Sequence, residues 1–90
     1  MALAAVTIKI MPVSPEVDLK KLRENVEAII TKIGGILHNC EEQPIAFGLK
    51  ALIFIIGWPE QKDPGAIETD LAKIENVNSV EITDVRRAFG

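Results

Sequence analysis

The 90-residue chain has one cysteine, one tryptophan, no tyrosine and no excess of positive charge, its formal net charge being −3. Each scarcity excludes something. A single cysteine, Cys40, cannot close an internal disulfide, so a stapled secreted scaffold is ruled out and a reducing, cytoplasmic setting is expected. With aromatic residues at 4%, the core has to be built from Ile, Val, Leu and Ala. A mildly acidic balance lacks the basic footprint with which nucleic-acid surfaces displace counterions. The longest apolar run, residues 51–56, is too short to span a bilayer, and the opening "MALAAVTIKIM" has no basic segment ahead of its apolar residues, unlike a signal peptide. A soluble protein with no membrane or nucleic-acid partner is the expectation.

What is present is an ordinary globular balance, 48% hydrophobic and 26% charged, in a length suited to one domain over residues 1–90. Residues 5–11, "AVTIKIM", alternate with period two and predict a strand with one dry face. The following "PVSPEVD" reads as a break, because two prolines do not suit a ladder. From Leu19 the period lengthens: Leu19, Leu22, Val26, Ile29, Ile30 and Ile33 mark one face of a helix, with Asp18 as its N-cap and Gly34-Gly35 as its stop. Residues 36–42 form a weaker strand candidate and residues 49–58 the strongest, apolar enough to be central. Ile67, Leu71 and Ile74 space a short second helix over 66–75, and "SVEITDV", 79–85, alternates again. The order β-α-β-β-α-β predicts an α+β, ferredoxin-like βαββαβ sandwich: a four-stranded antiparallel sheet with two helices on one face and the first and third strands in the centre.

Residues that could carry chemistry are few. His38 and Cys40 share one side of a strand, but two ligands do not make a structural zinc site, which wants four. Neither Ser14 nor Ser79 lies in a nucleophile elbow, and no Gly-rich phosphate loop exists. The loop after the first strand lacks the Arg that an acylphosphatase-like site would need. Glu41-Glu42 and Glu81 with Asp84 are explained by a solvated surface. Phe54 alone cannot supply the stacking platform of an RNA-binding sheet. No catalytic residue, metal or cofactor is therefore assigned, and an enzyme is not expected. The features left over are Trp58, read as a lid on the core edge, the terminal "RRAFG", and "PIAFG" ahead of the strongest strand. Periodicity leaves Phe47 undecided between a core residue and a contact for a partner.

Two segments taken together, "QPIAFGLKALIF" and "VNSVEITDVRRAF", resemble the characteristic stretches of the translation elongation factor 1-beta family in its compact archaeal form. In that family a Pro-x-x-[Phe/Tyr]-Gly-[Leu/Ile]-[Lys/Arg]-x-Leu run opens the third strand and a Val-x-Ser-x-[Asp/Glu]-Ile run opens the last. "MPVSPEVDL" after the first strand resembles the family's N-terminal signature, so the likeness covers essentially the whole chain. It implies the same βαββαβ fold and a non-enzymatic, cytoplasmic guanine-nucleotide exchange factor that binds the GTPase elongation factor 1-alpha and speeds GDP release. It further implies that Phe47, beside Gly48 and with Lys50 as neighbour, docks on the second domain of the GTPase. Arg86 and Arg87 would reach toward its switch regions and magnesium site, Arg87 standing where eukaryotic members carry Lys. Eukaryotic members also carry N-terminal extensions for subunit assembly, and a stand-alone monomer is expected here. The alternative is an ACT-like regulatory module, which would pair edge to edge as a homodimer around a small molecule.

Overall fold

Every second residue of the first strand, β1 (Leu3–Pro12), is buried, in the order Ala4, Val6, Ile8, Ile10, Pro12. That alternation positions the whole molecule, which a computed structural model describes over residues 3–87. β1 is followed by α1 (Leu19–Lys32), β2 (Ile36–Pro44), β3 (Lys50–Pro59), α2 (Gly65–Ala72) and β4 (Val77–Arg87). The strands form one antiparallel sheet in the order β2-β3-β1-β4, with the first and third strands central as the periodicity implied. Opposite Ile10, Ile8, Val6 and Ala4 on β1 stand Leu52, Phe54, Ile56 and Trp58 on β3, and this face packs against Leu22, Val26 and Ile30 of α1 and Ile67 and Leu71 of α2. The other face of the sheet carries Ala5, Thr7, Lys9, Ile53 and Ile55, all partly exposed. The arrangement is the ferredoxin-like βαββαβ sandwich.

The helix ends follow their sequence signals. Asp18 caps α1, its carboxylate accepting from the backbone N–H of Lys20 at 3.0 Å and of Lys21 at 3.4 Å. At the other end Gly34 takes φ +99°, the N–H of Gly34 donates to the Thr31 carbonyl, and the N–H of Gly35 donates to the Ile30 carbonyl at 2.8 Å. This is a Schellman motif, which only a residue free to adopt positive φ closes cheaply. A third group completes the cap. Lys62, from the β3–α2 loop, donates through Nζ to the Ile33 carbonyl at 2.7 Å while its ammonium lies 5.3 Å from the centroid of the Trp58 ring. Trp58 Nε1 returns a hydrogen bond to the Lys62 carbonyl at 3.3 Å. Trp58 is therefore more than a lid: it is 2% exposed, and it fastens the loop that places a cation on the negative end of α1.

The prolines sit differently from the sequence reading. Pro12 was expected outside the ladder, yet it is the last residue of β1, facing Val77 after a register shift. Pro44 likewise closes β2 opposite Lys50. Strand ends and edge strands tolerate the missing N–H, since no ladder partner waits for it there. Two further irregularities fall inside the ladders. His38 is an extra residue in β2 between the pairs Leu37–Ile56 and Asn39–Ile55, and Thr83 is an extra residue in β4 between Ile82–Ile8 and Asp84–Thr7.

Gly35 is buried without a positive φ, so its constraint is space. A β-carbon there would lie 2.8 Å from Ile30 Cγ2, 3.3 Å from the Ile30 carbonyl oxygen and 3.4 Å from Ile56 Cδ1. Gly35→Ala is expected to lower stability by about 1–3 kcal/mol through overpacking, measured by urea unfolding; an unchanged midpoint would show that β2 can shift away from α1 at no cost.

Candidate functional site

The turn between β2 and β3 is closed by two backbone hydrogen bonds, Leu49 N–H to the Ala46 carbonyl and Ile45 N–H to the Leu49 carbonyl, both 2.9 Å. Its two central residues, Phe47 at φ +53° and Gly48 at φ +80°, have the sign pattern of a type I′ turn, whose twist matches that of an antiparallel hairpin. Glycine takes this conformation freely. For phenylalanine it costs about 1–2 kcal/mol, and nothing local compensates, because the residue is 96% exposed. The core reading of Phe47 is thereby excluded: the ring stands in solvent at the tip of a hairpin, on a backbone that strain and hydrogen bonds fix in place. Lys50, at the start of β3, is within 3.7 Å of the Glu42 carboxylate. Both side chains are about half exposed, so the pair orients the ammonium without contributing much stability.

The second group of sequence-selected residues lies elsewhere. In β4, Arg86 stands opposite Ala5 and Arg87 opposite Ala4, and Ala4 in turn stands opposite Trp58 on β3. From Lys50 to Trp58, at about 3.3 Å per residue, the strand runs roughly 26 Å, and the long axis of the molecule is 41 Å. The structure thus brings Phe47, Gly48 and Lys50 to one end of the sheet and the backbones of Arg86 and Arg87 to the other. Arg86 Nε donates to Asp84 Oδ2 at 2.8 Å. Residues two apart on a strand share a face, and "DVR" is the sequence signal for this pair. The "AFG" that ends the chain, including Phe89, lies outside the described residues.

Elsewhere the side chains offer little chemistry. Cys40, on the helix-facing side of β2 opposite Phe54, is half-buried, and burial pushes its thiol above the usual range, with Arg23 opposing and the carboxylates of Glu27, Glu42 and Glu41 reinforcing the rise. His38 is exposed and lies over Gly57 on the open face, so the two sequence-selected soft ligands diverge across the bulge. Among the described residues no three His, Cys, Asp or Glu side chains gather as a metal site would require. A groove of about 510 Å³ lies between α1 and α2, with Ala28, Ile29, Ile33 and Ile74 in its lining. No helix among the described residues is long and apolar enough to cross a membrane.

The family profile described as "EF-1 guanine nucleotide exchange domain" matches residues 5–88. The chain is 44% identical over 82 residues to elongation factor 1-beta of Methanothermobacter thermautotrophicus, with 90% of this chain and 91% of that one covered. To the protein of the same name from Methanobrevibacter smithii it is 48% identical over 85 residues, covering 90% and 91%. To that from Methanocaldococcus jannaschii it is 39% identical over 90 residues, covering 98% and 100%. Among solved structures, the ACT domain of GTP pyrophosphokinase from Chlorobium tepidum superposes with a TM-score of 0.64 at 15% identity, over 91% of this chain and 99% of that one. The C-terminal domain of MgtC from Mycobacterium tuberculosis gives 0.68 at 10% identity, over 96% and 88%. These two likenesses share the fold and nothing finer.

Two measurements follow from this geometry. Phe47→Asn keeps a residue that visits the left-handed region readily and removes a ring with no core contacts, so stability is expected to hold or rise by up to about 1 kcal/mol. A loss of about 3 kcal/mol in thermal or urea unfolding, as for truncating a core phenylalanine, would contradict the exposed placement. For Cys40 the raised thiol predicts slower alkylation by iodoacetamide at pH 7–8 in the folded protein than in urea, since only the thiolate reacts. Because the unfolded thiol ionises first, stability is expected to be unaffected below the ordinary thiol range and to fall as pH rises through it. Equal alkylation rates in the two states would show that the thiol is not held protonated by burial.

Proposed function

The chain belongs to the EF-1 guanine nucleotide exchange domain family, and from that membership we propose that it accelerates GDP release from the GTPase elongation factor 1-alpha, so that GTP can reload. The observation that carries this reading is Phe47: a fully exposed aromatic ring, held on a left-handed backbone at the hairpin tip, inside the segment that resembles the family's most characteristic run. A side chain retained there at a cost in backbone strain, without packing in return, suits a contact that forms only in a complex.

The two ends divide the work. Phe47, with Gly48 and Lys50, anchors the factor on one domain of the GTPase, and Arg86 and Arg87 act about 26 Å away on the nucleotide domain. That separation supports a grip spanning two domains of the partner rather than a single pocket. At the nucleotide domain a cation competes with the magnesium ion for phosphate charge, and displacing the switch loops weakens the remaining contacts. No bond is made or broken in this mechanism. Exchange is linkage: the factor binds the nucleotide-free GTPase more tightly than the loaded one, so nucleotide affinity falls by the same ratio. The setting is the cytoplasm, the partner a protein, and the factor acts as a monomer.

Release of a fluorescent GDP from purified elongation factor 1-alpha, followed across factor concentration, tests the reading. The protein is expected to accelerate release. Phe47→Ala is expected to raise the half-maximal factor concentration at least about tenfold, equivalent to about 1.4 kcal/mol of binding, with the maximal rate retained. Arg87→Ala is expected to lower the maximal rate instead. No acceleration at micromolar factor would overturn the proposal.

A further inference from the structure

Five large hydrophobic side chains are exposed among the described residues: Val13, Ile36, Ile45, Phe47 and Val85. Three of them, Val13, Ile45 and Phe47, belong to the loops at the same end of the sheet. β1 runs toward that end, since Ile10 stands opposite Leu52, and the loop after it returns beside the β2–β3 turn. A β-carbon on Gly48 would lie 3.7 Å from Pro15 Cβ, and Pro12, Ser14, Pro15, Leu19, Gly48 and Lys50 line one cleft of about 250 Å³ between the two loops.

The loop bearing Val13 is tied down. The Val13 N–H donates to the Asn76 carbonyl at 3.0 Å, and the Val17 N–H donates to the Ser14 carbonyl at 3.3 Å. Ser14 Oγ accepts from the Glu16 N–H at 3.3 Å, and prolines at 12 and 15 restrict the backbone on either side. Asn76 itself adopts φ +72°, a conformation asparagine accepts with little penalty. Val13, 55% exposed, is thus presented by a loop that needs little further ordering, which is where an apolar contact gains most affinity. Charge agrees with this. Residues 11–15, "MPVSP", and 44–49, "PIAFGL", contain no charged side chain, whereas 26% of the chain is charged. Glu16 and Lys50 follow these stretches directly, and Asp18 and Glu42 stand close outside them. Stretches depleted in charge suit the core of a protein-binding patch, and Lys50 lines the cleft between the two loops.

We infer that Val13, with Pro15, forms a second apolar contact of the Phe47 end, seated on the same apolar surface of the GTPase that receives the ring. This inference rests on the exchange-factor reading and extends it to a loop that none of the sequence-selected site residues occupies. The β1–α1 loop then fixes the angle at which the hairpin tip meets the partner, and Val13 contributes to affinity without touching the nucleotide domain.

The same GDP-release assay tests it, using wild type, Phe47→Ala, Val13→Asp and Val13→Ser, each also followed by thermal unfolding. The Val13 side chain points to solvent and its hydrogen bond to Asn76 is a backbone one, so both substitutions are expected to melt near wild type. Val13→Asp is expected to raise the half-maximal factor concentration on the order of tenfold and Val13→Ser by less, with the maximal rate unchanged in both. If Val13→Asp fails to fold, the Val13→Ser shift decides. Wild-type concentration dependence in the folded Val13 variants, alongside a weakened Phe47→Ala, overturns this inference alone. Absence of acceleration by the wild-type protein overturns the exchange reading and this one with it.

Discussion

The contact that everything else depends on is the seating of one α1 stripe, Leu22, Val26 and Ile30, on the alternating side chains of the two central strands. Val6, Ile8 and Ile10 of β1 and Leu52, Phe54 and Ile56 of β3 meet it, and each of these residues is at most 2% exposed. Among the described residues no polar or charged side chain is buried. Such a layer has no hydrogen-bond specificity of its own, so its uniqueness comes from shape and from period: a one-residue slip of β1 would turn Val6, Ile8 and Ile10 to the wet face and bring Thr7 and Lys9 into the core. The antiparallel register is therefore strongly determined. With it are fixed the positions of the hairpin tip at one end and of the last strand's arginines at the other.

This explains why much of the molecule was legible in the sequence and which parts were not. β1 and α1 announce themselves because their burial follows a clean period, and Asp18 and Gly34 cap α1 by well-defined local chemistry. Helix α2 was overextended at its C-terminal end, since Ile74 continues the spacing although the chain has already turned by Lys73. Pro12 and Pro44 lie inside the ladders against the sequence expectation because a proline's cost depends on whether a partner carbonyl needs the N–H it lacks, which is a property of the sheet. Phe47 could not be assigned from period alone: its positive φ is a property of the turn, and "FG" in a short link between strands is only a weak hint of it. Val13 and Asn76 were missed for a related reason. Their connection joins loops more than 60 residues apart in sequence, and no local pattern carries it. The clasp formed by Trp58, Lys62 and the end of α1 was equally invisible for want of any periodic signal.

Similar scaffolds in an ACT domain and in the C-terminal domain of MgtC show how little the sandwich itself says about use. In this chain the core is inert and the distinguishing features sit on the loops and strand ends that the core holds apart. A partner meeting the protein encounters a rod about 41 Å long whose two tips differ in chemistry, apolar and strained at one, arginine-bearing at the other. On the exchange reading proposed above, rigidity between them matters more than the identity of any core residue, because a flexible link would let each tip bind without the other.

The extra residue at Thr83 bears on the arginine end. Along β4, Glu81 is paired with Lys9 on the open face, so an uninterrupted alternation would send Val85 outward with it and turn Arg86 toward the helices. Inserting one residue between Ile82 and Asp84 inverts that parity: Val85 comes to face Val6 beside Trp58 and Pro64, and Arg86 joins Ala5 on the open face. The bulge thus works as a phase switch, and the side of the sheet from which the last strand presents its charge is chosen by counting residues rather than by any contact the arginine makes.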